Sequence, residues 1–179
     1  MTPREPRTLG YYAASHWFQR AVLLVITGLI AIGLISALDR AKEQAERQLV
    51  DLTVRNMRTG MQLAMGEALM HQREAEIASW VGNNPVRWLS SEPKGYRGEC
   101  SQAEGGELTG GEWCFEREQK KLIYRPRRID HLRGSVSGQA CDRLVWRVTR
   151  VLDRGADSGG FVGLRVEADP PCRWVLEES

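Results

Sequence analysis

The first long pattern in this chain is an apolar run without a charged residue, from Ala21 to Leu38. A helix needs roughly 17 to 25 mostly apolar residues to cross the hydrocarbon core of a membrane, so the run predicts a membrane-spanning helix. A cleaved signal peptide is the alternative, but its apolar core is usually roughly 7 to 15 residues long. The best small-residue cleavage site here, Ile35-Ser36-Ala37, is weak, so the pattern favours an uncleaved anchor. A buried core helix would normally be amphipathic, which this run is not.

Helical spacing continues after the apolar run. The segment from Asp39 to Leu49 contains good helix formers and neither glycine nor proline. Beyond it, apolar side chains recur every three or four residues, which predicts an amphipathic helix with one covered face. These side chains are Val50, Val54, Met57, Met61, Met65 and Leu69. The cover is either the chain's own domain or partner helices, to whose contacts flexible methionine is well suited.

The predicted helix is a single one, from Arg20 to Val81. Gly60 and Gly66 are its expected weak points, because glycine costs about 1 kcal/mol relative to alanine inside a helix. Its expected end is 82–85, where glycine and asparagine tolerate left-handed geometry and a proline cannot continue the helical hydrogen bonding.

Short runs with strand alternation follow a loop-rich region at 86–111. The runs are Glu112–Glu116, Lys121–Arg127, Asp142–Asp153, Gly160–Glu167 and Arg173–Glu177. Their short connections favour antiparallel pairing, and the alternation predicts one covered sheet face. The predicted fold class is therefore α+β, with a long helix, part transmembrane and part amphipathic, packed on a small antiparallel sheet.

This pattern divides the chain into four parts. Residues 1–20 form a cytoplasmic or interfacial arm, whose aromatic residues favour the membrane interface or simply extend the helix. Residues 21–38 are the transmembrane half of the long helix, and 39–82 are its amphipathic half. Residues 83–179 are the loop region and the sheet, which together form a head.

The cysteines indicate the compartment of the head. Cys100, Cys114, Cys141 and Cys172 all follow the apolar run, without a Cys-x-x-Cys pair or zinc-ligand spacing. Two disulfides in an oxidising compartment explain this usage, and four buried thiols are the alternative. Four cysteines allow three pairings. The local strand units favour Cys100 with Cys114 and Cys141 with Cys172, and the other two pairings stay open.

Catalytic material is sparse. His16, His71 and His131 are too scattered to form a metal set, and no nucleophile motif or phosphate-binding loop is present. The sequence therefore predicts a protein that is not an enzyme and has no cofactor. A formal net charge of +2 is too small to indicate nucleic acid. A basic cluster comprises Arg125, Arg127, Arg128 and Arg133. We interpret it as a solvated strand end or loop, and a site for a specific anionic partner is the alternative.

Two stretches after the predicted helix carry a resemblance to a known family. The first is Asn84–Leu89 followed by Pro93–Glu99, and the second is Gly111–Glu116 followed by Leu122–Arg125. Placed after a long helix, they resemble stretches of type IV pilins and pseudopilins, in which a Gly-x-Trp-x-Phe strand pairs with a Leu-x-Tyr strand. The resemblance covers nearly the whole chain as an arrangement and implies a pilin-like fold.

The chain departs from that family at the prepilin peptidase site. The family has a glycine before a phenylalanine, and a glutamate five residues into the mature helix. The best match here is Gly10 before Tyr11, where Ser15 takes the fifth position and Arg20 the tenth, and the apolar run contains no glutamate. The resemblance therefore implies an accessory protein retained in the membrane.

The implied function is assembly of a type IV pilus of the MSHA type, or of a type II secretion pseudopilus, through lateral helix and head contacts. The implied partners are other pilin-like subunits, inner-membrane assembly proteins and membrane lipid, without nucleic acid. The implied location is the bacterial inner membrane, crossed once, with the head in the periplasm; incorporation into the filament stays open. Gly28 and Gly33 are either small-residue contacts between membrane helices or ordinary members of an apolar helix.

Two other functions compete with this one. A single-pass periplasmic sensor or ligand-binding protein would need a cytoplasmic output, for which the short segment before Ala21 is too small. A secreted binding module would require that the apolar run is a signal peptide.

Overall fold

The computed structural model describes residues 9–129, 131–135, 138–152, 161–169 and 172–175. The chain divides between Ala45 and Glu46 into an N-terminal and a C-terminal unit. Helix α1, Leu9–Met70, provides the described part of the N-terminal unit and the first element of the C-terminal unit. It begins within the segment interpreted as an arm, so the aromatic residues of that segment extend the helix.

By length and composition, α1 is the one helix among the described residues that is long and apolar enough to cross a membrane. Its apolar stretch has no buried residues within the N-terminal unit. Large side chains there, such as Leu24 and Leu29, are 74% and 65% exposed. This exposure fits a single-pass membrane segment, because a water-soluble domain rarely leaves such a wide apolar surface uncovered.

In its described residues, the C-terminal unit continues with two short helices, a 3₁₀ turn and seven strands. The helices are α2 Glu74–Ser79 and α3 Gln102–Gly106, and the 3₁₀ turn is Pro85–Trp88. The strands are β1 Tyr96–Cys100, β2 Glu112–Glu116, β3 Lys121–Arg125, β4 Leu132–Gly134, β5 Leu144–Leu152, β6 Phe161–Ala168 and β7 Cys172–Trp174. Together with α1 they confirm the α+β class.

The main sheet has the strand order β1-β2-β3-β5-β6, and β4 pairs with β7 in a separate antiparallel ribbon. The β2–β3, β3–β5 and β5–β6 pairs are antiparallel. β1, however, runs parallel to β2, so the expectation of an antiparallel sheet is wrong at this edge. Between these two parallel strands the chain passes through α3, which lies in the predicted loop region at 86–111. A capping box formed by Ser101 and Glu104 begins α3.

The core lies between α1 and one face of the main sheet. Val50, Val54, Met57 and Met61 are at most 5% exposed and belong to one cluster with sheet residues. The sheet residues of that cluster include Trp113, Phe115, Leu122, Tyr124, Leu144, Trp146, Val148, Leu164 and Val166. These positions are those that the alternation placed on a covered face. Val162 was also assigned to that face, but the structure does not describe the surroundings of its side chain.

The long helix ends earlier than its pattern predicts. α1 stops at Met70, because Gln72 takes a left-handed φ of 57°. The Arg73 amide then donates to the Ala68 carbonyl at 2.8 Å and the Gln72 amide to the Leu69 carbonyl at 3.1 Å, which is a Schellman motif. Glycine usually takes this position. The helix boundary at 82 is therefore wrong, since α2 is a separate helix.

α1 continues through Gly60 and Gly66 without a break; that these glycines weaken it stays a prediction. The strands also begin or end within a few residues of their predicted bounds; β3, for example, ends at Arg125 and β7 begins at Cys172. Predicted strand residues at 153, 160, 176 and 177 lie outside the described part of the chain. The compact C-terminal unit starts at Glu46. It therefore includes most of the amphipathic helix segment, which the sequence pattern had divided from the head.

Candidate functional site

The methionine-rich face of α1 is turned toward the chain's own sheet. Val50, Val54, Met57 and Met61 are buried, and Met65 is partly buried against the same cluster. Leu69 was predicted to share this face but is 53% exposed in the last turn of α1, so the prediction is wrong at that position. The burial corrects the assignment of the first four residues as contacts for partner helices, because side chains in the core are not accessible to a second chain. Of the two covers considered for this face, the structure has the chain's own domain.

Gly28 and Gly33 lie in the exposed apolar stretch of α1. An added Cβ atom would meet nothing within 4 Å at either position. Small residues of this kind let helices approach closely in a membrane, and the surface around both glycines is open within the N-terminal unit. Their role as helix contacts stays a prediction.

A different face of α1 carries exposed apolar side chains inside the C-terminal unit. Leu49, Leu52 and Leu63 are 56%, 55% and 70% exposed. With Asn56 and Thr59 they follow the alternating three- and four-residue spacing of a helix-pairing seam. This stripe was not predicted, because the buried face of the same helix has the stronger periodicity. The alternating spacing from Leu49 to Leu63 was the signal that could have revealed it.

This stripe forms one wall of a groove of about 530 Å³. The other wall is the segment 88–94, which begins at the last residue of the 3₁₀ turn. It includes Trp88, Leu89, Pro93 and Lys94. We call this feature the helix groove. It is an open depression with both apolar and polar lining residues, and it combines a helix face with an irregular segment. A depression of this kind can receive a helix from another chain.

Gly60 determines how closely the two walls approach. A Cβ atom at this position would overlap the backbone carbonyl oxygen of Trp88. Trp88 also lies against Trp80, with 6.0 Å between their ring centroids, and the Arg87 guanidinium lies 5.9 Å from the Trp88 ring centroid. The groove therefore depends on a backbone approach that only a residue without a side chain permits.

The cysteines form two disulfides, Cys100–Cys114 and Cys141–Cys172. This is the pairing that the local strand units favoured. The first joins the parallel strands β1 and β2, and its sulfur atoms lie in a small core with Leu108, Ile123 and Val145. The second joins β7 to the segment before β5. Both bonds tie together edge regions of the C-terminal unit.

The basic cluster has mostly structural contacts. Arg125 Nη1 donates to the Leu108 carbonyl at 2.9 Å, and Arg133 Nη1 donates to the Leu132 carbonyl at 3.1 Å. The Arg127 amide donates to Glu46 Oε1 at 2.9 Å. These contacts satisfy backbone and side-chain groups near strand ends, which fits the solvated strand-end interpretation of the cluster.

The ionisable groups with shifted pKa values also have structural partners. Burial, then the Glu46 carboxylate, raise the pKa of Tyr124. Burial also raises the pKa of Tyr96, whose hydroxyl accepts from the Asn84 side-chain amide at 2.6 Å. Within the described residues, no group of three histidine, cysteine or acidic side chains is arranged to hold a metal ion.

Comparison with known proteins finds no matching family model, no similar curated protein and no similar solved structure.

Proposed function

We propose that this chain is a non-enzymatic, pilin-like membrane protein that acts in assembly of a type IV pilus of the MSHA type, or of a type II secretion pseudopilus. In this proposal it is anchored once in the bacterial inner membrane with its C-terminal unit in the periplasm. Its partners are other pilin-like subunits and inner-membrane assembly proteins. The observation that carries the proposal is the exposed apolar stripe Leu49, Leu52 and Leu63 beside the helix groove.

The stripe supports lateral contact because exposed apolar side chains clustered on one helix face mark an interaction surface more often than isolated ones do. It lies on α1, the helix that also carries the predicted membrane span. Chains anchored in one membrane by equivalent helices are held side by side, so an equivalent helix of a pilin-like partner is the occupant we propose for the groove. Gly28 and Gly33 would extend the same kind of contact into the bilayer.

The two disulfides support an extracytoplasmic C-terminal unit, because such bonds persist in oxidising compartments such as the periplasm. The missing glutamate in the apolar run and the weak match at Gly10 support retention in the membrane as an accessory protein. Intact-mass measurement on protein from the native membrane tests this part. A full-length mass is expected, whereas loss of about 10 residues at a peptidase site or of a whole signal peptide would contradict it.

Site-specific photo-crosslinking tests the groove directly. A photoreactive residue at Leu52 should crosslink the full-length protein to a pilin-like subunit or assembly protein in cells that make the pilus or pseudopilus. The matched control is Leu69, which is on the same helix and similarly exposed at 53%, against 55% for Leu52, but does not line the groove.

Substitution adds a functional readout. Leu52→Glu should reduce assembly of the filament, and Leu69→Glu should leave it near the wild-type level. The proposal fails if deletion of the gene leaves assembly normal, or if both glutamate variants behave alike while the protein accumulates normally.

A further inference from the structure

A second cavity of about 280 Å³ lies between α1 and the edge of the main sheet. Arg47, Arg55 and Arg58 line it on the helix side, spaced so that they share one face of α1. Trp146 and Trp174 line it on the strand side. We call it the arginine cavity; it is separate from the helix groove.

The charge of the arginine cavity is mainly positive. Among the described residues, Arg47 and Arg55 have no hydrogen-bond or ion-pair partner, and Asp51 is the acidic residue in the lining. Arg58 donates from Nε to the Val166 carbonyl at 3.1 Å. Because a guanidinium has five N–H donors, this bond fixes the side chain against β6 and leaves its terminal nitrogens available.

A buried polar atom in the same lining lacks a partner. Trp174 is 6% exposed, and its Nε1 makes no hydrogen bond. The indole is held by the pairing of Leu132 with Trp174 in the β4–β7 ribbon, beside the Cys141–Cys172 disulfide. The Nε1 atom is shielded from solvent, so Trp174 provides an aromatic wall of the cavity. The N–H donors open to a ligand are those of the arginines.

We propose that the arginine cavity binds a phosphate group, either the headgroup of an anionic phospholipid or free inorganic phosphate. Three guanidinium groups have more N–H donors than one carboxylate can satisfy with hydrogen bonds. The oxygens of a phosphate accept hydrogen bonds from several directions. Arg47 is the ninth residue after Leu38, the end of the apolar run. This short separation makes a lipid headgroup one of the two sources to be tested. The proposal does not depend on the pilus function.

Binding is measured on the full-length protein, delipidated in an uncharged detergent. Native mass spectrometry with phosphatidylglycerol, and with diacylglycerol as the matched lipid without phosphate, tests the headgroup. Calorimetric titration with inorganic phosphate tests the free anion. Phosphatidylglycerol binding without phosphate binding identifies the lipid as the source, and binding of both identifies the phosphate group itself.

The variants Arg47→Gln and Arg55→Gln should each weaken binding about tenfold, since each removes a charge-assisted hydrogen bond. Arg87→Gln is the control with the same charge change; Arg87 is exposed and lies outside the cavity.

Two outcomes overturn the proposal. One is that neither phosphatidylglycerol nor inorganic phosphate binds, in which case an acidic segment of a partner protein becomes the ligand to test. The other is that binding occurs but Arg47→Gln and Arg55→Gln reduce it no more than Arg87→Gln does. Equal thermal stability of the three arginine variants would show that any difference in binding does not come from unfolding.

Discussion

The Tyr124 hydroxyl donates a hydrogen bond to Glu46 Oε1 across 2.6 Å. Tyr124 is 3% exposed and belongs to β3, whereas Glu46 is the first residue of the C-terminal unit and lies on α1. The same carboxylate oxygen accepts from the Arg127 amide at 2.9 Å. One acidic side chain therefore ties the start of this unit's helix to the end of the β2–β3 hairpin.

Removing this hydroxyl should destabilise the C-terminal unit. We expect Tyr124→Phe to lower the free energy of unfolding by about 1.5 to 3 kcal/mol, because hydrogen bonds to charged groups contribute that much. Tyr96→Phe, which removes a hydroxyl bonded to the neutral Asn84 amide, should cost about 1 kcal/mol. Urea unfolding of the full-length variants in detergent measures both. Equal losses of unfolding free energy in the two variants would show that the charge of Glu46 does not strengthen its hydrogen bond with Tyr124.

The same contact predicts a loss of stability at alkaline pH. The pKa of Tyr124 is raised in the folded protein by burial and by Glu46, whereas an unfolded tyrosine has a pKa of about 10. The contribution is therefore complete below about pH 10 and falls as the pH rises from there toward the folded pKa. The free energy of unfolding is measured at about pH 8 and at a pH above 10. It should fall more between these two conditions for the wild type than for Tyr124→Phe. Tyr96 shifts in the same direction, so Tyr96→Phe/Tyr124→Phe should flatten the curve further.

Two glycines of α1 should respond in opposite ways to alanine. At Gly60 the new Cβ would overlap the Trp88 carbonyl oxygen, so we expect destabilisation by about 1 to 3 kcal/mol from forced backbone movement. At Gly66 nothing lies within 4 Å of the new atom, so alanine should stabilise the helix by about 0.5 to 1 kcal/mol. Chemical unfolding of the two variants measures the difference, and a stabilising Gly60→Ala would contradict the close approach of the groove walls.

The disulfides should contribute separately to stability. Removing Cys100–Cys114 or Cys141–Cys172 by paired alanine substitutions should lower the free energy of unfolding by about 2 to 5 kcal/mol each. The Cys100→Ala/Cys114→Ala variant also loses apolar sulfur atoms from the small core around Leu108 and Ile123. Unfolding with and without a reducing agent tests this, because each variant should retain sensitivity to reduction through its remaining bond. A wild-type protein unaffected by reduction would argue against both bonds.

Local patterns in the sequence predicted several elements well. The apolar run predicted the exposed helix surface, and the spacing from Val50 to Met65 predicted the face that packs on the sheet. Alternation at Glu112–Glu116 predicted the bounds of β2 correctly. The Ser101 and Glu104 pair that caps α3 was a readable helix-start signal, but the surrounding glycines led to a loop interpretation.

Other features arise from contacts between distant parts of the chain. The parallel pairing of β1 with β2 and the approach of Trp88 to Gly60 join residues whose local sequences do not specify each other. The helix groove and the arginine cavity exist only where such segments meet. By itself, the sequence determined which helix face and strand positions are buried, because periodicity records burial. The tertiary structure decided what covers them and which faces stay open, because packing partners are set by the fold as a whole.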